Sequence, residues 1–303
     1  MGHELSQPSH QPVLLNESIH SLAIEPNGSY LDATFGRGGH SKAILEQLGH
    51  NGQLFVLDRD PQAIEVARRL AEEDPRVTVL PGTFSCLDDL LGDQVKLNGA
   101  LFDLGISSPQ VDQSERGFSF QQDGPIDMRM DNQHGMSASD WLNRASEEEI
   151  TWVLSQYGEE RFSSEIAKHI VQTRARSPIK TTKQLVEIIL AVVPSMAAGK
   201  HPATKVFQAI RMHINDELSE IREGLPLVIE KIVTTGRLVV ISYHSLEHQL
   251  VSDVLKRSPA NTDSTSNKPR LKKLGQAVRA SRDERLSNRR ARSALLRTWE
   301  KKS

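Results

Sequence analysis

The first hundred residues repeat one pattern, a short apolar run followed by a stretch with apolar residues at helical spacing. Tyr30-Leu-Asp32, Gln53-Leu-Phe-Val-Leu-Asp58, Val77 to Leu80 and Gly99-Ala-Leu-Phe-Asp103 read as short buried strands. Ser41 to Leu48 and Pro61 to about Ala71 read as the helices between them, with Asp60 a suitable N-cap and Pro61 a suitable first helical residue. Pro12 to Leu22 predicts a short helix that leads into the Asn27-Gly28 turn, and residues 1–9 read as disordered. Strands alternating with helices predict an α/β fold with a mostly parallel sheet and with ligands at the carboxyl ends of the strands. Asp32, Asp58, Phe84 and Asp103 all fall at or just beyond such ends.

From Leu104 to Asp131 the periodicity is lost, and the interleaved Phe, Met and Arg of this long connection predict an ordered active-site loop. Between Ser137 and about Ile214 the chain turns helical. Ser146 with Glu149 and Thr181 with Gln184 each predict a capping box, and Pro178, Pro194 and Pro202 punctuate the helices. The strand pattern resumes at Gly236-Arg-Leu-Val-Val-Ile-Ser242, Ser258 to Asn267 reads as a flexible loop, and Ser293 to Trp299 reads as a last strand. The division that follows is a catalytic domain of residues 10–135 and 215–303 with an all-helical domain, 136–214, inserted after the fourth strand.

The first strand runs into Phe35-Gly-Arg-Gly-Gly-His40, a turn whose glycines let the backbone approach a ligand and which opens a helix whose N-terminal amides point at the same spot. About twenty residues on, the second strand ends in Asp58, placed to accept hydrogen bonds from ribose hydroxyls. Together these predict a nucleoside cofactor; a glycine turn alone would not. The dinucleotide fingerprint asks for Gly or Ala where this chain has Ser41, so NAD is the weaker reading. Asp32 is expected to order the turn rather than touch ligand. Phe84 fits either the core or stacking on a purine.

Charge adds a partner to this picture. The 303 residues carry a net charge of −2, yet the segment from Lys268 to Ser303 holds thirteen Lys and Arg against three acids. Such clustering favours a polyanion, because phosphate neutralisation releases counterions; a solvated basic tail is the plain alternative. With 37% hydrophobic residues the chain can build a sizeable core. The single cysteine, Cys86, fits a reducing compartment and reads as a small core filler. No run is long and apolar enough for a membrane span, and a cytoplasmic protein is expected.

A ribose-binding acid with neither a phosphate-binding Lys nor a metal cluster suits a methyl donor such as S-adenosylmethionine. Methyl transfer to nitrogen needs positioning and an acceptor for the amine hydrogens, and Asp103 is placed for the second task. The Asn/Asp-Pro-Pro-aromatic motif of many amino-methyltransferases is replaced here by Asp103-Leu-Gly-Ile-Ser-Ser-Pro109. Two other classes compete. His244-Ser-Leu-Glu-His248 matches the H-x-x-E-H pattern of inverted zinc proteases, and a non-catalytic RNA-binding protein on a degenerate nucleoside fold would share the glycine turn.

The motifs together resemble the bacterial rRNA small-subunit methyltransferase H family, also called MraW. The resemblance runs from about His10 to the C-terminus. It rests on His10-Gln-Pro-Val-Leu-Leu-Asn-Glu17, Asp32-Ala-Thr-Phe-Gly-Arg-Gly-Gly-His40, Asp58-Arg-Asp60, Asp103-Leu-Gly-Ile-Ser-Ser-Pro-Gln110 and Arg116-Gly-Phe-Ser-Phe120. It continues through Asp127-Met-Arg-Met130, Tyr157-Gly-Glu-Glu-Arg-Phe162, His201-Pro-Ala-Thr204, Phe207-Gln-Ala-Ile-Arg211 and Ser242-Tyr-His-Ser-Leu-Glu247. It implies a class I S-adenosylmethionine-dependent methyltransferase, Rossmann-like, with an inserted helical domain. The implied activity is that of an rRNA (cytosine-N4)-methyltransferase acting on cytidine 1402 of 16S rRNA in the small ribosomal subunit. A homodimer is among the assemblies this reading allows.

Carried onto matching positions, the implied cofactor contacts are Gly38, Gly39, His40, Asp58, Phe84, Asp103 and Gln110, with no metal. Gln110 rests on the resemblance alone. Asp103 and His244 are the catalytic candidates, and for His244 three roles stay open: RNA contact, loop ordering or proton acceptance. His248 lies outside the family motif, which weakens the zinc reading. The family's usual Asn-Pro-Arg-Ala-Arg-Ser ending is Asn288-Arg-Arg-Ala-Arg-Ser293 here, one proline exchanged for a charge.

Overall fold

The computed structural model describes residues 12–193, 201–257 and 270–302, so the expectations for residues 1–9 and for the Ser258 to Asn267 loop lie outside the described residues. The chain divides into two compact units, one of Met1–Gly105 with Glu220–Ser303 and one of Ile106–Ser219.

The first unit is built on a seven-stranded sheet in the order β3-β2-β1-β4-β5-β7-β6, in which β5 is Ile232–Ser242, β6 is Arg270–Arg279 and β7 is Leu295–Lys302. Its opening half contains α1 (Leu15–Leu22), β1 (Ser29–Asp32), α2 (Gly39–Gln47), β2 (Gln53–Asp58), α3 (Pro61–Glu73), β3 (Val77–Pro81), α4 (Leu87–Leu91) and β4 (Leu97–Asp103). Strands β1 to β5 are all parallel, and β7 is the antiparallel exception. The apolar runs divide by a period of two between the faces of the sheet. Leu31, Phe55, Leu57, Ala100 and Phe102 join one core, while Tyr30, Leu54, Val56 and Leu101 join the other. A sheet covered on both faces needs consecutive apolar residues, which is why these strands read as runs rather than alternations. Asp60 caps α3 as expected, accepting a hydrogen bond from the Gln62 amide at 3.0 Å.

In the second unit, α5 (Ser108–Asp112) precedes a helical bundle of α6 (Ala138–Arg144), α7 (Glu147–Gly158), α8 (Ser163–Arg174), α9 (Thr182–Val192) and α10 (Ala203–Ile214). Thr181 and Gln184 form the expected capping box. The other box is only half formed. Ser146 accepts from the Glu149 amide at 3.1 Å, but the Glu149 carboxylate accepts from Trp141 Nε1 at 2.7 Å instead of returning to the cap.

The units divide at Gly105/Ile106 and Ser219/Glu220, whereas the sequence pattern placed the breaks at 135/136 and 214/215. The long connection accounts for the difference, because Ile126 and Met128 are buried in the same apolar cluster as the bundle helices. Arg116 donates to the carbonyls of Arg129 and Met130 at 3.1 and 2.9 Å, and Arg129 pairs with Asp127 at 2.7 Å. Asn215, buried beyond the end of α10, accepts from the Met130 amide and donates to the Met128 carbonyl, both at 2.7 Å. Asn215→Ala removes both partners at once and is expected to lower stability by about 1–3 kcal/mol, read as a lower denaturant midpoint. An unchanged midpoint would remove Asn215 from the account of this loop.

The chain returns through α11 (Glu217–Lys231) to β5 (Ile232–Ser242), α12 (Ser245–Arg257), β6 (Arg270–Arg279), α13 (Arg282–Ser287) and β7 (Leu295–Lys302). The basic C-terminal segment is therefore not a tail. Strand β6 was missed in the sequence because Arg270-Leu-Lys-Lys-Leu-Gly-Gln-Ala-Val-Arg279 is too polar to read as buried. It is an edge strand, with a register shift between Leu274 and Val278, and edges carry Lys and bulges that discourage further pairing. Trp299 is buried in the sheet core. Cys86, expected as core filler, is exposed, because the short turn of Phe84–Cys86 presents Phe84 and then Leu87 to the core instead. No helix among the described residues is long and apolar enough to cross a membrane.

Candidate functional site

The strand order reverses direction between β1 and β4, and in open parallel sheets ligands bind at the carboxyl edge of such a switch point. Four elements deliver side chains there. The turn after β1 is held by its own strand ends: Asp32, wholly buried, accepts from the Thr34 amide at 3.1 Å and from Ser41 Oγ at 2.6 Å. This is the ordering role expected of Asp32, and it gives Ser41 a structural reason. Thr34 Oγ1 in turn accepts from the Asp103 amide at 2.7 Å, tying the turn to the end of β4.

The glycines of the turn answer partly to the protein's own packing. Gly38 has φ +73°, and a Cβ there would lie 2.7 Å from the Phe35 ring; a Cβ on Gly39 would lie 2.2 Å from Pro12. The first helical bond of α2 runs from the Lys42 amide to Gly38 O, so the amides of its opening turn remain those of a helix N-terminus. His40, in that turn, is 5% exposed, with Nε2 3.2 Å from Val13 O and Nδ1 4.0 Å from Asp103 Oδ2.

Asp58 ends β2. It accepts from the Gly36 amide at 2.8 Å and from the Asp60 amide at 2.9 Å, which fixes its rotamer and leaves lone pairs on both oxygens. Burial pushes its carboxyl up to about 6, against the lowering effect of those two amides. Phe84 is partly buried and meets Phe102 edge to face at 5.1 Å; a Cβ on Gly224 of α11 would lie 2.2 Å from Phe84 Cβ. The structure thus gives Phe84 a core contact, and the sequence had left core and stacking open. Ser85 beside it is held by Glu220, which accepts from its amide and hydroxyl, both at 3.0 Å.

Asp103 ends β4 with its side chain 24% exposed. Tyr243, one residue past β5, donates its hydroxyl to Asp103 Oδ1 at 2.6 Å. Burial raises the Asp103 carboxyl, while His40 and the Tyr243 hydrogen bond act to lower it. Tyr243 has no role legible in the sequence beyond its membership of the Ser242 to Glu247 motif. His244 Nε2 lies 2.8 Å from Glu247 Oε1, and the other Glu247 oxygen accepts from the Tyr243 amide at 2.7 Å. His248 turns elsewhere, with Nδ1 2.5 Å from Ser242 Oγ, so the two histidines of the zinc-like pattern take different partners. Gln110 belongs to the second unit, where it is buried and accepts from the Ser107 amide at 3.0 Å to cap α5.

The donor set of the first unit fits a nucleoside cofactor. Asp58 is an acceptor for a ribose diol, the amides of α2 suit a carboxylate, and Asp103 lies across the switch point as an acceptor for an amine.

Comparison with known proteins agrees. The MraW methylase family model matches residues 7–302. A ribosomal RNA small subunit methyltransferase H from Idiomarina loihiensis is 47% identical over 306 residues, covering 96% of this chain and 96% of that protein. The protein of the same name from Pseudoalteromonas atlantica is 48% identical over 309 residues, covering 98% and 99%, and that from Thioalkalivibrio sulfidiphilus is 48% identical over 307, covering 97% and 98%. With the switch-point site and a match across nearly its whole length, this chain belongs to the MraW methylase family and is an S-adenosylmethionine-dependent methyltransferase with an α/β fold.

Proposed function

We propose that this protein methylates rRNA of the small ribosomal subunit, and that its target is the N4 amine of cytidine 1402 in 16S rRNA. The observation that carries the reading is the Asp103 carboxylate, held by Tyr243 at 2.6 Å, at the carboxyl edge of the sheet across from Asp58 and the glycine turn. S-adenosylmethionine supplies a methyl group on a positively charged sulfur. Asp58 accepts hydrogen bonds from the ribose hydroxyls, Gly38, whose own amide donates to Phe35 O at 2.7 Å, shapes the turn so that the amides at Gly39 and His40 face the donor's polar end, and Phe84 covers its base. Gln110 is the contact contributed by the family pattern.

On the acceptor side, Asp103 takes a hydrogen bond from the exocyclic N–H. That leaves the nitrogen lone pair localised for attack, and the carboxylate then receives the proton the amine must lose. His244, locked against Glu247, orders the turn that presents Tyr243. In this reading the first unit is the catalytic domain and the second is a helical domain inserted after β4. The protein works in the cytoplasm on the ribosomal subunit, as a monomer or a homodimer.

Incubation with labelled S-adenosylmethionine and small subunits lacking the modification should place label on N4 of that one cytidine; label on another base would overturn the assignment. The basic segment supplies a second expectation. Arg282, Arg285 and Arg289 are exposed on and beside α13. Where such a residue contacts a phosphate, charge reversal weakens RNA binding and lowers the slope of log affinity against log salt by about 1 each. Affinity indifferent to all three reversals and to salt would remove the segment from the RNA interface.

A further inference from the structure

We infer that Tyr243 is a positioning residue for the transfer step: its hydroxyl holds the Asp103 carboxylate in the rotamer and the ionised state in which it meets the amine. The inference rests on Asp103 being the acceptor. Three independent contacts build the arrangement. The phenol donates to Asp103 Oδ1 at 2.6 Å, a short charge-assisted bond. The Tyr243 ring lies beside Gly105, whose φ of +106° is a conformation that favours glycine; a Cβ there would make an ordinary contact with the ring at 3.4 Å. The Tyr243 backbone is anchored through its amide to Glu247, which is 1% exposed. A tyrosine that served only as packing would need neither the hydroxyl contact nor the anchored turn.

The groups around Asp103 come from four elements. His40 of α2 lies 4.0 Å from Oδ2. Asp32 at the end of β1 acts to raise the carboxyl, and Arg290, in the turn of Arg289–Arg292, acts to lower it. Burial and the neighbouring carboxylates of Asp103 and Glu247 hold the Tyr243 phenol in its protonated, donating form. Since a hydrogen bond to the charged form favours that form, removing the hydroxyl shifts Asp103 towards its protonated state.

The test is the pH dependence of single-turnover methylation of small subunits by the full-length protein at saturating S-adenosylmethionine. Tyr243→Phe is expected to move the acidic limb up by about one pH unit, a roughly tenfold loss of rate below it, with the rate recovering at higher pH. Cofactor affinity by calorimetry is expected to stay within about twofold. The chain has three tyrosines, so protein made with 3-fluorotyrosine keeps every ring and hydroxyl while making the phenol a stronger donor; its limb is expected to move down. A limb that stays in place in both proteins overturns the inference. Asp103→Asn separates the two levels. If it keeps the wild-type limb, the acceptor reading itself fails; if it abolishes the limb while Tyr243→Phe leaves it unmoved, only the role of Tyr243 fails.

Discussion

Asp103→Asn is expected to slow methyl transfer by about 10²- to 10⁴-fold, the range for removing a positioned acid–base group. The amide matches the carboxylate in shape and still accepts from Tyr243, and the Asp103 backbone keeps its bond to Thr34 Oγ1, so the β4 terminus should hold. What disappears is the negative charge that localises the amine lone pair and receives its proton. Single-turnover rates on undermethylated small subunits give the first readout. Calorimetry with the cofactor gives the second, and there the loss should stay below about tenfold, since one neutral contact is worth about 0.5–1.5 kcal/mol. A variant that retains more than a tenth of the wild-type rate would move the acceptor role away from Asp103.

The second large effect lies on the donor side. Asp58→Ala should weaken cofactor binding by about 1.5–3 kcal/mol, or about 10- to 150-fold, the value of a hydrogen bond to a charged group. Unchanged affinity would end the ribose assignment. The pH dependence has a definite sign. Because burial pushes the carboxyl up to about 6, the ionised acceptor is lost as pH falls through that value, and cofactor affinity should fall with it. For the ligand-free protein the same raised value acts the other way. Between the ordinary carboxylate value of 3.8 and about 6 the folded state binds the extra proton, so this group's contribution to stability declines as pH rises through that window. Asp58→Asn should remove both trends together.

The parallel core of the sheet was legible in the sequence because both faces of each strand are buried, so whole runs such as Leu54 to Leu57 are apolar. Asp58 and Asp103 were legible for a related reason: an acid that ends an apolar run sits where the sheet meets its ligand edge. Strand β6 was not, since an edge strand has one unpaired side and its composition answers to solvent. Glu149 was assigned to a cap that the sequence spacing allowed, but a buried indole eight residues away competed for the same carboxylate and won. The extent of the second unit was hidden in the same way. Nothing local marks Ile126 and Met128 as belonging with helices that follow them, because the contacts that bury them come from residues as far off as Asn215.

By itself the sequence determined the alternation of strands and helices, the glycine turn with its helix, the acids at the strand ends and the family. These features are set by local periodicity and by residue types that few other positions tolerate. Only the tertiary structure decided what those residues touch. Gly39 is small because Pro12 lies over it, Ser41 serves Asp32, and Asp103 is held by Tyr243 from 140 residues along the chain. Each of these contacts joins segments that neighbour one another only across the folded sheet, and spacing along the chain carries no record of that distance.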